Sequence, residues 1–250
     1  MTDPAQQPSP PLVWQKDRPT PRRQAPSVER IVQRALAIAD AEGLPALSMR
    51  RIATDLRSGT ASLYRYVTSR DELLDLMVDA AQGETDPPAL TGDWRTDLTG
   101  IAADARATLL RHPWLGSELT GRPALGANSL RRYDLALAAA SSLTADITFA
   151  SHAVDAVTAY VFGTVAQELA ELRAQQRTGL TEDEWRAGVG PYIRQVIDSG
   201  DYPQFARRVR DAEDLTPEEQ FAFGLACVLD GIAARAPGTA RSGLSRPEPT

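Results

Sequence analysis

Residues 48–67 read SMRRIATDLRSGTASLYRYV. Ser48 precedes a run whose apolar members Met49, Ile52, Ala53 and Leu56 keep helical spacing, which makes it the N-cap of a short helix. Arg57-Ser58-Gly59 breaks that pattern, and a second short segment runs from Thr60 to Val67. Its only sizeable aliphatic side chains, Leu63 and Val67, are four apart and so anchor one face inward. The rest, Thr60, Ala61, Ser62, Tyr64, Arg65 and Tyr66, is small, hydroxylated, aromatic or cationic. That is the chemistry by which a major groove is read: hydroxyls to base edges or phosphate, Arg to guanine, a methyl against thymine, Tyr to phosphate. Arg50 and Arg51, near the start of the preceding helix, suit an element that crosses the DNA backbone. The alternative for Tyr64 and Tyr66 is packing, and for Arg65 a plain surface position.

Helical periodicity extends outward in both directions. Upstream, Val28, Ile31, Val32, Ala35, Leu36 and Ala39 line one helix face, which ends at Gly43. Downstream, Ser69-Arg70-Asp71-Glu72 has the form of a capping box and opens a helix carrying Leu73, Leu74, Met77, Val78 and Ala81. A linker with Pro87-Pro88 covers residues 83–93, and longer helices are expected over 94–111, 128–142 and 147–176. Thr181 with Glu184 and Thr216 with Glu219 are two more capping boxes, the second starting a helix over 218–236. No alternating run suggests a sheet, so the expected fold class is all-α.

The 250 residues carry 27 Lys and Arg against 33 Asp and Glu, and a single cysteine. That length supports a proper core without staples, and one cysteine excludes a disulfide framework and any CxxC motif. No apolar stretch nears the roughly 20 residues of a membrane helix, and the first residues lack the order of a signal peptide. A cytoplasmic protein with no membrane partner is expected. Charge is unevenly spread: up to Arg70 there are eleven basic and six acidic residues, whereas the remainder has a net charge of −11. A basic front on an acidic body points that front toward a polyanion. The expected divisions are a disordered Pro-rich arm (1–25), a DNA-binding part (26–82), a further helical part (83–236) and a disordered tail (237–250).

Residues 27–82 resemble the helix-turn-helix of the TetR family of bacterial transcriptional regulators. The resemblance rests on the spacing from Ala35 through Gly43 to Ser48, on Met49 to Leu56, on Ser62-Leu63-Tyr64-Arg65-Tyr66-Val67, and on Ser69 to Leu74. It implies DNA contacts at Arg50, Thr60, Ala61, Ser62, Tyr64, Arg65 and Tyr66, with Arg70 on a phosphate. It also implies that 83–236 is a helical ligand-binding and dimerisation domain, and that the protein is a homodimeric repressor on a palindromic double-stranded operator, released by a small-molecule effector. In one respect this chain departs from the family: Arg57-Ser58 stands where the family commonly has Gly-Val. That glycine is normally left-handed, and an arginine there costs about 1 kcal/mol. Either the turn loosens, or it shifts so that Gly59 takes the strained position.

Beyond residue 82 the signals are weaker. Val154, Val157, Val161, Val165, Leu169 and Leu172 form an aliphatic stripe for a core. Ala156, Tyr160, Gly163 and Gln167, with Gly224, Ala226, Gly231, Ala233 and Ala234, offer small-residue faces expected to pair two copies. His112, Trp114, Tyr133, Phe149 and His152 are the polar and aromatic candidates for a mostly apolar effector pocket. Ser151, His152 and Asp155 contain the residue types of a hydrolase triad, but neighbours on one helical turn point about 100° apart. No phosphate loop, metal site or cofactor motif is present, and Cys227 reads as a buried small hydrophobe. An enzyme is therefore not expected; a small-molecule carrier or enzyme without a DNA target is the alternative.

Overall fold

The computed structural model describes residues 13–15, 27–120 and 124–237, and among these there is no strand. Packing divides the chain into a unit ending at Ser142 and another beginning at Leu143. The first unit contains α1 (Val28–Glu42), α2 (Met49–Asp55), α3 (Thr60–Leu63), α4 (Arg70–Gln82), α5 (Trp94–Arg111), α6 (Leu115–Leu119) and α7 (Ala127–Ser141). The second contains α8 (Ile147–Thr178), α9 (Glu182–Asp198), α10 (Pro203–Asp211) and α11 (Pro217–Ala233). None of the helices among the described residues is long and apolar enough to cross a membrane.

In the first unit α1 buries Val28, Ile31, Val32, Ala35, Leu36, Ile38 and Ala39, and packs on α2 and α4. Ile31, Ile38 and Ile52 are fully enclosed, each contributing about 1.5–3 kcal/mol. Ser27, Ser48 and Ser69 cap α1, α2 and α4 by accepting from backbone amides. The expected box at Ser69 is only half formed. The Glu72 carboxylate accepts instead from the amide and hydroxyl of Thr68.

α5 and α7 belong to this unit as well: α5 packs on α7, and α7 packs on α4. The Asp79 carboxylate caps α7, accepting from the amides of Asn128 (2.9 Å) and Ser129 (3.0 Å). A Cβ at Gly126 would lie 2.1 Å from Asp79 Oδ1, so only glycine lets the two helices approach this closely. Arg132 of α7 donates to the carbonyls of Gln82 and Thr85, to the Thr85 hydroxyl, and to Asp104 of α5. The end of α4 and the segment after it are thereby tied to both longer helices. Packing thus groups residues 83–142 with the front of the chain, although the sequence places their role behind it.

In the second unit α8, about 48 Å long at 1.5 Å per residue, turns Val154, Val157, Val161, Val165 and Leu169 inward. Leu172, expected on that stripe, is 49% exposed. α11 packs on α8 through Phe221, Leu225, Leu229 and Ile232. Tyr160 belongs to this intra-chain contact, since its hydroxyl donates to the carbonyl of Phe221 at 2.9 Å. A Cβ at Gly224 would come within 2.4 Å of that hydroxyl, so Gly224 makes room for Tyr160. Cys227 lies opposite the buried stripe of α11 and is exposed, not buried as the surrounding apolar run suggests.

Both later capping boxes form completely, at Thr181 with Glu184 and at Thr216 with Glu219. Asp214 accepts from Arg186 and Arg208, and the hydrogen bond from Arg208 leads in pulling its carboxyl from 3.8 to about 2. The lowered value means that Asp214 stabilises the fold above pH 3.8, and that this contribution is lost as pH falls toward 2. Carboxyl chemical shifts followed by NMR are expected to put the Asp214 midpoint near 2, returning toward 3.8 in the Arg186→Ala/Arg208→Ala variant. A midpoint near 3.8 in the unaltered protein would contradict the geometry.

The expected arm (1–25) and tail (237–250) lie outside the described residues except for Pro237 and for Val13–Gln15. The latter form a 3-10 turn against α4 with Val13 buried, so the arm has at least this one seated point.

Candidate nucleic-acid interface

α2 and α3 are held from inside by a few side chains: Met49, Ile52 and Ala53 on α2, then Leu63, Tyr66 and Val67. The helix of α3 stops at Leu63, whose carbonyl then accepts from the amides of Tyr66 (2.8 Å) and Val67 (3.0 Å). These bonds carry one more helical turn past Leu63, which keeps Tyr66 and Val67 on the same inward face as Leu63. Tyr66, expected on the groove-facing surface, is only 8% exposed and has become a core residue. Tyr64 is 46% exposed. Ala61 and Arg65 are exposed, and Thr60 and Ser62 half-buried. The Arg65 guanidinium donates to Ser62 Oγ at 3.1 Å, a contact at the surface that holds the side chain along α3.

The cations around this face fall into two groups. Arg34 and Arg51 are taken up: both bind Asp55, at 2.6 and 3.3 Å, and Arg51 also binds Glu42 at 2.9 Å. Arg34 is the main reason the Asp55 carboxyl sits below its ordinary range. Arg50 is exposed, and its guanidinium has no hydrogen bond or ion pair among the described residues. Arg70 is exposed at the first turn of α4 and donates to the carbonyl of Leu44 at 3.2 Å. There the helix N-terminus adds its own attraction for an anion. Of the pair Arg50 and Arg51, the structure leaves only Arg50 available.

The turn between α2 and α3 closes with two hydrogen bonds, Ser58 N to Ala53 O (2.9 Å) and Arg57 N to Thr54 O (3.1 Å). This is a Schellman closure, which requires a left-handed residue at Arg57. Arg57 adopts it, with φ 52°, while Gly59 stays extended at φ −77°. The strain is thus carried by the arginine, and the register of the turn is not shifted.

Of the pocket candidates, His112, Trp114 and Tyr133 belong to the first unit and Phe149 and His152 to the second. His112 is 2% exposed and lies between two carboxylates, Nδ1 2.9 Å from Asp40 Oδ1 and Nε2 3.0 Å from Glu84 Oε2. Trp114 is buried beside it and donates from Nε1 to the same Asp40 oxygen at 2.7 Å. These two residues brace α1 against the segments that follow α4 and α5. Tyr133 is 45% exposed on α7. On α8, Phe149 is half-buried and His152 exposed, with Asp155 3.9 Å away. Asp40, Glu84, Asp79, Asp104 and Arg132 were not singled out in the sequence. Their partners lie 28 to 74 positions distant, where no periodic signal reaches. Among the described residues no group of three or more His, Cys, Asp or Glu side chains is placed to hold a metal ion.

Comparison with known proteins agrees with this geometry. Residues 86–236 match the family model described as tetracyclin repressor-like, C-terminal domain. The HTH-type transcriptional repressor DrrR1 of Streptomyces coeruleorubidus is 39% identical over 227 residues, covering 88% of this chain and 83% of that protein. The class A tetracycline repressor of transposon 1721 from Escherichia coli is 26% identical over 209 residues, covering 82% of this chain and 89% of that protein. The Streptomyces coelicolor TetR family protein ActR, solved with actinorhodin, superposes with a TM-score of 0.69 at 29% identity, covering 87% of this chain and all of that one. With its two short helices, its capped α4 and this set of relatives, the chain belongs to the TetR family of transcriptional regulators.

Proposed function

We propose that the protein is a homodimeric repressor that binds a two-fold symmetric operator and leaves it when a small molecule binds. The observation that carries this is the exposure of Tyr64, Arg65 and Arg50 on elements whose inward residues are fully used in packing. Thr60, Ala61 and Ser62 complete the groove-facing surface, and Arg70 engages a flanking phosphate. DrrR1 is named a repressor, and ActR has been solved with a bound small molecule, which supports the effector half of the proposal. The functional boundary falls between residues 82 and 83. Because α7 packs on α4, α4 on α1, α1 on α2 and α2 on α3, a shift on the effector side reaches α3 as a movement of packed helices. The ligand then acts by favouring a state whose two recognition elements no longer match successive grooves about 34–36 Å apart. Such a protein works where the DNA is, in the cytoplasm, and performs no turnover.

Selection of bound duplexes from a random pool is expected to enrich a palindrome, and a screen of small aromatic natural products to release it. Failure to enrich any sequence would overturn the proposal in favour of a carrier or enzyme. Dimerisation is assigned to the outward faces of α8 and α11. Ala156, Ala159 and Gly163 are exposed on α8, and Phe223 on α11 is 66% exposed. The full chain is expected to scatter light as a dimer at micromolar concentration, and Phe223→Arg as a monomer with its helicity retained. A Phe223→Arg dimer would place the interface elsewhere.

A further inference from the structure

Arg57 is the only non-glycine residue with positive φ among the described residues, and its side chain gives the fold nothing in return. The residue is exposed, and its guanidinium has neither hydrogen bond nor ion pair among the described residues. The nearest carboxylate in sequence, Asp55, is already occupied by Arg34 and Arg51. Glycine or asparagine fits a left-handed position without this strain, and neither bears a charge. A cation therefore stands in a strained turn where no intramolecular partner accounts for it. It does so three residues before Thr60, at the entry to the helix whose exposed side chains face the groove. Strain of this kind persists where function requires the side chain.

We infer that Arg57 is a DNA phosphate-binding residue, engaging the backbone of the duplex as α3 enters the groove. This rests on the DNA-binding reading above. The contact is electrostatic and independent of sequence, and it occurs once in each half-site. It adds a third cation to Arg50 and Arg70, on the side of α3 opposite its C-terminal turn in sequence. Each neutralised phosphate contributes about −0.9 to the slope of log affinity against log salt, so a dimer gains about −1.8 from two copies of Arg57.

The test uses the full chain with a duplex enriched by the unaltered protein and a duplex of random sequence. Arg57→Gly removes both charge and strain. Its Tm is expected to rise by about 2–4 °C, while its salt slope flattens by about 1.8 and its affinity for both duplexes falls by the same factor. Between 50 and 200 mM salt, the gap to the unaltered protein then narrows about tenfold. Arg57→Asn, which tolerates the left-handed turn without glycine's freedom, is expected to lose binding equally, and Arg57→Lys to keep most of the slope. Unchanged affinity and slope in both neutral variants would overturn the inference, and a loss confined to the enriched duplex would make Arg57 a base contact. If the unaltered protein binds neither duplex, the DNA-binding reading itself fails, and the inference with it.

Discussion

Arg65→Ala and Tyr64→Ala are each expected to abolish recognition of the operator while leaving thermal stability within experimental error. Tyr64 is 46% exposed, Arg65 is exposed, and the one hydrogen bond that Arg65 makes, to Ser62, is itself at the surface. Truncation therefore opens no cavity and strands no buried partner. A bidentate contact to guanine is worth about 1–3 kcal/mol, and the two half-sites of a dimer double it. Affinity for the enriched duplex is then expected to fall at least about 30-fold at constant salt. Random duplex separates the two roles open to the arginine. If Arg65→Ala weakens selected and random DNA alike, it contacts phosphate only and the assignment of base readout is wrong. Tyr66→Ala is the contrasting case, because its ring is buried and its loss acts on stability first.

The difference between Tyr64 and Tyr66 shows where the sequence was legible. Most short-range rules hold: Ser48 caps α2, Thr181 and Thr216 form full capping boxes, and Gly43 ends α1, while at Ser69 only the cap itself forms. Helical phase carried the Val154 to Leu169 stripe into the core for the same reason. Tyr66 departs from the expectation because its phenol suggests a groove contact, whereas its place three residues after Leu63 and one before Val67 puts it on their buried face. Cys227 failed differently. The apolar run from Leu225 to Leu229 is buried on one side only, and composition does not say which. The site was half legible: its exposed chemistry lay in one continuous segment, but the cations removed by Asp55 and Glu42, and the struts His112 and Trp114, depend on distant partners. His112 is a polar and aromatic pocket candidate in the sequence, and the structure sets both its ring nitrogens against carboxylates, those of Asp40 and Glu84.

The largest loss of stability is expected at Arg132. Its side chain is 15% exposed and supplies the donors for the Gln82 and Thr85 carbonyls, the Thr85 hydroxyl and Asp104. Arg132→Met keeps much of the volume but leaves a carboxylate and two carbonyls in a largely dry site without their cation. Breaking such a pair costs about 3–5 kcal/mol, far above a surface ion pair at about 0–1 kcal/mol. Calorimetry is expected to record a fall in Tm of roughly 6–20 °C, with the transition still cooperative. Arg132→Lys is expected to recover little, because one ammonium cannot span the acceptors a guanidinium fork reaches. The double variant Arg132→Met/Asp104→Leu separates charge from packing. If the cost is mainly the stranded Asp104 carboxylate, removing that charge restores a substantial part of the lost Tm. A Tm for Arg132→Met within 2 °C of the unaltered protein would mean that α4 is held by its apolar contacts and by the Asp79 cap on α7, without this clamp. The route from the α5 and α7 side to the DNA-reading helices would then not run through this clamp.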